Sequence, residues 1–348
     1  MAISGTVTFA GGGSLQITDD NILANSVSIT MSTCGTSRWT FGTFNAAMLH
    51  IGIIDEDALD HEFAGAEIEL STTYIDENEE PQVYDLGHYW VDGTTIKRNR
   101  NTVTMTAEDA TGQFNKQLPD NVRSTSYTPA TLYAAACTAC GVSLDSNVDP
   151  TVFPNDTASF TLASAAIQTW RDAVMWTVQL QACNALINRS GELTIRRAKH
   201  ISTTPTWEIT AAERADIKFS DTRIYPKYMD AYSAGKVKTY TSSAVIQDDQ
   251  ARQGKIACAY NPLLENKTES DCDTINGRIL AFLDNFLQRQ IEARHFTDPR
   301  VALGDVIQYK GGKVDVRRSI LGIATHIVWR YHGYTTVTCT APDAITDE

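Results

Sequence analysis

Basic residues are missing from a long stretch of this 348-residue chain: between Trp39 and Ile96 there is neither lysine nor arginine. The same window holds thirteen acids: Asp55, Glu56, Asp57, Asp60, Glu62, Glu67, Glu69, Asp76, Glu77, Glu79, Glu80, Asp85 and Asp92. The net charge is −13, and outside the window acids and bases balance, so the whole excess sits in one block of the N-terminal third. A chain charged this way lacks the basic face that nucleic-acid binding requires. No 18-residue apolar run occurs, which excludes a transmembrane helix. The opening "MAISGTVTFAGGG" has no basic n-region and no apolar h-region, so no export signal is expected. Seven cysteines, an odd number, then predict free thiols in a reducing compartment.

Signatures of catalysis are missing as well. There is no G-x-S-x-G elbow and no H-E-x-x-H. Cys137 and Cys140 form a C-x-x-C, but a zinc site needs a second ligand pair, and a redox pair would open a helix rather than close one. Two small residues on a buried helix face are the expected meaning. The string "DEDALDHE" fails as a calcium loop, because Leu59 and Asp60 stand where a ligand and a glycine belong; a solvated turn is expected. The glycines at 11 to 13 lie between two strands, so they read as a turn and not as a phosphate cradle. The histidines (50, 61, 88, 200, 295, 326, 332) are scattered and read as core-edge or surface residues. Carboxylate pairs suited to glycoside hydrolysis can be drawn from thirteen acids by chance. No cofactor, no metal and no catalytic residue is therefore assigned, and no enzyme is expected.

What is present is β-rich. "TVTFAGGGSLQIT", "SVSITMS", "AEIELSTTYI", "YDLGHYWVDGTTI" and "TVTMTAED" alternate apolar and polar positions, the period of half-buried strands. Residues 1 to 119 thus form one antiparallel β unit, with "DEDALDHEFAGA" as a polar connection and "DENEEPQ" as a hairpin tip. Residues 120 to 204 differ. Thr128 caps a helix that starts at Pro129 and stops at Gly141. In "TWRDAVMWTVQLQACN", Trp170, Ala173, Val174, Thr177 and Val178 fall on one helical face. "ALINRSGELTIRR" follows as strand, turn, strand, with Gly191 in the turn. From 205 to 348 the β pattern resumes. It is interrupted by one amphipathic helix over "TINGRILAFLDNFLQRQIEARHF", with a stripe of Ile275, Ile279, Phe282, Leu283, Phe286, Leu287 and Ile291.

Several of these stretches, in this order, resemble bacteriophage tail hub (baseplate hub) proteins, a family also found in phage-derived contractile injection particles. The stretches are "TWRDAVMWTVQLQACNALINRSGELTIR", "YNPLL", "DPRVALGDVIQY", and the N-terminal "SGTVTFAGGGSLQITDDNIL" and "GHYWVDGTTIKRNRNTVTMTAEDATGQFNK". The resemblance implies an α+β, predominantly β fold: two tube-like antiparallel β-barrel domains flanking a smaller α+β region. It implies a homotrimer that mates with the hexameric tail tube, with distal tail proteins and with a tip or spike protein. Genomic DNA would pass through its channel without specific binding, and no membrane is involved. The place implied is the virion tail, after synthesis in the host bacterial cytoplasm. Pro299, Gly304 and Asp305 then read as an architectural turn into the second barrel. Asp76, Glu77, Glu79 and Glu80 become candidate channel-facing acids, since carboxylates repel phosphate. Some relatives carry a C-terminal enzyme or fibre extension; this chain ends at Glu348, just past its last expected strand, so any hydrolase or spike is expected on a separate polypeptide. A tail-associated peptidoglycan-degrading enzyme is the alternative. A third reading, a carbohydrate-binding β-module, would need exposed aromatics such as Trp39, Trp90 or Trp207.

Overall fold

The computed structural model describes residues 1–34, 40–75, 79–197, 204–220, 223–245, 251–258, 260–283, 289–296, 298–311, 318–341 and 345–347. The chain opens with eight strands: β1 (Ala2–Thr8), β2 (Ser14–Thr18), β3 (Ser28–Ser32), β4 (Met48–Ile54), β5 (Glu67–Ile75), β6 (Pro81–Val91), β7 (Lys97–Asn99) and β8 (Thr102–Glu108). Helices α1 (Asp120–Arg123), α2 (Pro129–Cys140) and α3 (Trp170–Leu180) follow, then the hairpin β9 (Cys183–Ile187) and β10 (Leu193–Arg197). Next come β11 (Trp207–Ile209), β12 (Arg214–Phe219), β13 (Arg223–Ser233), β14 (Lys236–Thr241), β15 (Ala251–Cys258) and α4 (Glu269–Phe282). The last elements are β16 (Arg289–Phe296), β17 (Val306–Lys310), β18 (Arg318–Arg330), β19 (Tyr334–Ala341) and β20 (Ile345–Asp347).

Most strands belong to one sheet, in the order β12-β16-β19-β18-β3-β4-β8-β6-β5-β1-β2, with β7, β11, β17 and β20 attached. Its ladders are antiparallel apart from β11 with β17. The fold is α+β and mainly β. The two expected β units are halves of this single sheet, joined where Ile29 of β3 lies opposite Trp329 of β18. No ladder among the described residues closes either half into a barrel. The hairpin β9–β10 and the sheet β14-β13-β15, in which β13 and β15 run parallel, stand apart from it.

Strand period two carries across the whole sheet. One row of cross-strand neighbours contains Val7, Ile68 and Tyr89, and continues through Val91, Ala107, Leu49, Ile29 and Trp329. From Trp329 it steps two residues along β18 to Ile327, then crosses to Val337, Ala293 and Ile217. Every one of these side chains is buried. The opposite face carries Gln16, Thr6, Glu69 and His88, then Trp90, Glu108, Met48, Thr30, Val328, Thr336, Arg294 and Asp216, none of them buried. A one-residue slip in any ladder would exchange the two faces, so each register is strongly specified.

Three apolar cores result. The N-terminal half encloses Ile3, Val7, Leu49, Ile51, Phe63 and Met105, among others, and the same cluster takes Trp329 and Tyr331 from the C-terminal end of the chain. The C-terminal half encloses Ile217, Ile291, Ile307, Tyr309, Ile327 and Val337. The third and largest core joins α2, α3 and β9–β10 to Met229, Ala231 and Cys258 of the small sheet and to Ile275 and Ile279 of α4. The helix ends follow from side-chain caps. Thr128 and Thr169 accept from the backbone N–H three residues on, Pro129 occupies the first turn of α2, and Gly141 ends it in the left-handed region at φ +74°. The predicted helical face of α3, Trp170, Ala173, Val174, Thr177 and Val178, is buried.

One helix differs from its expected span. The stretch expected to be helical from 274 to 296 contains α4, which begins earlier, at Glu269 under a Thr268–Asp271 capping box, and β16. Ile291 therefore sits on a strand, where Ile291, Ala293 and His295 are buried at period two; Phe286 and Leu287 lie outside the described residues. The capping box marks the true start, and β16 is held by ladders to β12 and β19, contacts that a local apolar stripe does not reveal.

Because Trp329 belongs to one half by strand and to the other by core, Trp329→Ala should lower unfolding stability by ~3–5 kcal/mol. Hydrogen exchange should show protection lost in β3 and β4 together with β18. Loss confined to β18 and β19 would mean that the halves are independent.

Candidate functional site

Three stretches that are far apart in sequence meet where the two halves and the helical region adjoin. The first is the turn Asn188–Gly191. Asn188 Oδ1 accepts the N–H of Glu192 at 2.9 Å, and Gly191 adopts φ +77°, where a side chain is strained. From this turn Arg189 reaches into the junction, where its Nη2 donates to the Val301 carbonyl at 2.9 Å.

The second is the segment 298 to 305. Asp298 and Pro299 are buried. Asp298 grips Arg300 with both oxygens, at 3.0 Å from Nε to Oδ1 and 2.8 Å from Nη2 to Oδ2, and also accepts the Arg300 N–H at 2.9 Å. Charge-assisted, bidentate pairing of this kind fixes the guanidinium plane. Gly304 has φ +84°, donates its N–H to the Ala324 carbonyl at 2.8 Å, and passes so near Arg196 that a Cβ would stand 3.2 Å from Cδ. Asp305 Oδ2 accepts from the Ala302 N–H at 2.8 Å and from Trp207 Nε1 at 3.0 Å.

The third is the end of β5. The Arg300 guanidinium carbon lies 5.6 Å from the Tyr74 ring centre and 5.2 Å from that of Trp207, so one cation contacts an aromatic ring from each half of the sheet. The Asp298-x-Arg300 spacing is visible in the sequence; its aromatic partners are too distant along the chain to be found there. Burial, Asp298 and Tyr74 all bear on Arg300, whose proton is held more tightly than usual chiefly by the bond to Asp298.

The other quoted motifs are also structural joints. Asp172 accepts from the N–H of Thr169, and Arg171 donates to the Phe44 carbonyl at 2.9 Å, tying α3 to the β3–β4 connection. Asn261 donates to the Trp176 carbonyl at 3.0 Å and to Gln179 Oε1 at 2.9 Å, holding "YNPLL" against α3. Trp207 is half-buried in the junction, Trp90 is half-buried against the helical core, and Trp39 lies outside the described residues.

Of the candidate channel acids, Glu79 and Glu80 are exposed at the β5–β6 tip; Asp76 and Glu77 lie outside the described residues. Not all of the acid block is solvated. Asp55 is buried, accepts the Asp57 N–H at 3.1 Å and meets His61 Nδ1 at 2.8 Å, while Ala58 of the same loop is buried and Phe63 enters the N-terminal core. The expected solvated turn is thus a packed loop with an acidic rim. Among the described residues, Glu67, Glu69 and His88 bring ligand-type atoms together, with His88 Nδ1 3.4 and 3.6 Å from the two carboxylates on the exposed sheet face. The glycine turn at 11 to 13 closes with Gly12 N–H donating to the Phe9 carbonyl at 2.9 Å, between two strands. Cys137 and Cys140 are buried at the end of α2, and burial pushes their thiols up to about 12 and about 11, far from the thiolate that redox or metal chemistry needs.

A cavity of about 50 Å³ lies at the same junction, with a mainly apolar wall that includes Met31 and Leu303 and a few polar groups, Asp109, Asn188, Arg189 and Arg196. Asp109 accepts the N–H groups of Ala47 and Thr111 at 2.8 and 2.9 Å, yet burial outweighs them and raises its carboxyl to about 6. The folded state therefore holds this proton more tightly than the unfolded chain, whose carboxyl titrates at the ordinary 3.8. The stability it contributes is present below pH ~4 and is lost as pH rises through about 6. Urea midpoints from pH 4 to 7 should consequently fall less steeply for Asp109→Asn than for the wild type; parallel curves would remove Asp109 from the account.

Comparison with known proteins adds the fold. No family model and no curated protein matches the chain. Among solved structures it is similar to the 43 kDa tail protein of prophage MuSo2 from Shewanella oneidensis. The TM-score is 0.56 and identity 11%, over 98% of this chain and 97% of that one. It is equally similar to the tail protein from Neisseria meningitidis MC58, with TM-score 0.56 and 10% identity over 98% and 97% of the two chains. The chain shares its fold with phage tail proteins over nearly its entire length.

Proposed function

We propose that this protein is a structural subunit of a phage tail baseplate or tail tip. In this reading it is the hub, a homotrimeric symmetry adaptor that joins the hexameric tail tube to a tip or spike protein and lines the channel through which DNA passes. The observation that carries the reading is the single sheet running through both halves of a chain whose fold likeness to tail proteins covers 98% of its length. Two similar-sized β halves per chain would let three chains present six β units to a six-fold tube. The work done is assembly: edges and faces of a rigid sheet, held by the 298 to 305 turn with Pro299, Gly304 and Asp305 and by the Gly191 hairpin. Hub trimers of this kind need obligate contacts of roughly 2,000 Å² or more.

The acids Asp76, Glu77, Glu79 and Glu80 at the β5–β6 tip are proposed to face the channel and repel passing phosphate. Loss of the gene from the parent phage or particle should leave tubes without a tip complex, and antibody label should collect at the distal tail end. Complete tails that merely fail to open the cell wall would favour the peptidoglycan-degrading alternative instead. Reversal of the four tip acids to lysine should leave assembly intact and slow DNA release; unchanged release would remove them from the channel wall.

A further inference from the structure

Among the described residues, a histidine on the core face of β16 is buried with both ring nitrogens unpartnered. That residue, His295, is 1% exposed. Its ring packs edge-to-face on Tyr309 of β17 at 5.6 Å, and Tyr309 is itself occupied with the Cys339 thiol at 3.5 Å. A buried polar group left this way is costly and calls for a reason.

The charged groups around it come from several elements. Arg214, opposite His295 across the β12–β16 ladder, is taken up by the carbonyls of Ile209, Lys310 and Gly311. Glu213, just before β12, accepts from Thr210 at 2.8 Å and lies 3.8 Å from Arg300. Asp298 and Arg300 follow β16 directly, and the Asp298 N–H is tied to Thr335 of β19 at 3.2 Å. His295 stands opposite Thr335 in the β16–β19 ladder, and the Thr335 hydroxyl holds the Asp298 N–H. The imidazole thus lies beside the segment whose carboxylate, with that of Glu213, holds Arg300 against Tyr74 and Trp207.

We propose that His295 is a proton-operated release for the Asp298–Arg300 clamp, loosening the contact between the two halves of the sheet in acid. With the ring neutral, Asp298 and Glu213 belong to Arg300 and the clamp is closed. A proton taken from solvent turns both ring nitrogens into donors, and neither has a partner among the described residues. The imidazolium then competes for Asp298, its neighbour Arg214 repels it, and Arg300 loses the carboxylate that orients it between the two rings. Burial is the main force holding the proton off, lowering the imidazole to about 4 from its ordinary 6.5, with the Asp298 charge acting the other way. A base whose folded-state affinity for the proton is lowered supports the closed state fully above pH 6.5, and that support is lost as pH falls toward about 4.

Hydrogen exchange on the full chain, corrected for the pH dependence of the exchange chemistry, tests this between pH 7 and 4.5. Protection at residues 298 to 310 and at the Tyr74 end of β5 should fall about tenfold per pH unit below 6.5, while β4 and β8 keep theirs. His295→Phe, which cannot take the proton, should abolish the fall. An unchanged wild type, or the same fall in His295→Phe, would overturn the proposal. Should that variant not fold, Arg300→Ala decides: its clamp is open at pH 7, so its exchange there should already match the acidic wild type and stay level with pH. A persisting pH-dependent fall in Arg300→Ala would equally overturn it. None of these readings depends on the assembly role proposed above.

Discussion

The pairing of β18 with β3 is the constraint from which the rest of the architecture follows. It joins strands from opposite ends of the chain and makes two β halves into one sheet. Within two residues β18 passes from the N-terminal core, at Trp329, to the C-terminal core, at Ile327, so neither half can shift register without burying polar side chains of the other. The junction beside it is polar and directional. Arg300 and Arg189 reach across it with hydrogen bonds and ring contacts, where an apolar contact alone would allow sliding.

Local chemistry made some of the structure legible beforehand. Thr128, Pro129 and Gly141 delimit α2 by capping, and Asn188 to Gly191 close a hairpin by backbone geometry; both signals are complete within a few residues. The segment beginning at Asp298 stood out for its turn residues for the same reason. What the eye could not supply was anything held by distance. The apolar stripe from Ile275 ran on into β16 because a strand and a helix can share apolar positions over a few residues, and only the ladder to β19 separates them. Asp55 looked solvated among its acidic neighbours, yet its loop folds back so that Ala58 and Phe63 carry it inward. Tyr74 and Trp207 gave no sign that they flank one guanidinium, and His295 looked like any scattered histidine.

The quoted motifs acquire a common meaning in the structure. The Asn-Arg-Ser-Gly turn, the Asp-Pro-Arg segment, the Trp-Arg-Asp helix start and the Asn-Pro-Leu-Leu stretch each reach a segment distant in sequence. Arg189, Arg171 and Asn261 each donate to a backbone carbonyl of another segment, the pattern of residues that hold angles between parts. Negative charge, meanwhile, gathers at the rim of the N-terminal half, where Glu67, Glu69, Glu79 and Glu80 point away from the core. Geometry sits inside and charge at the rim.

The assembly reading is tested most directly by the mass of the purified chain in solution by light scattering, with negative-stain imaging of the main species. The account predicts three chains per particle arranged as a ring with a central opening. A stable monomer that stays monomeric in the presence of the tail tube and tip proteins, and that digests purified cell wall, would contradict it.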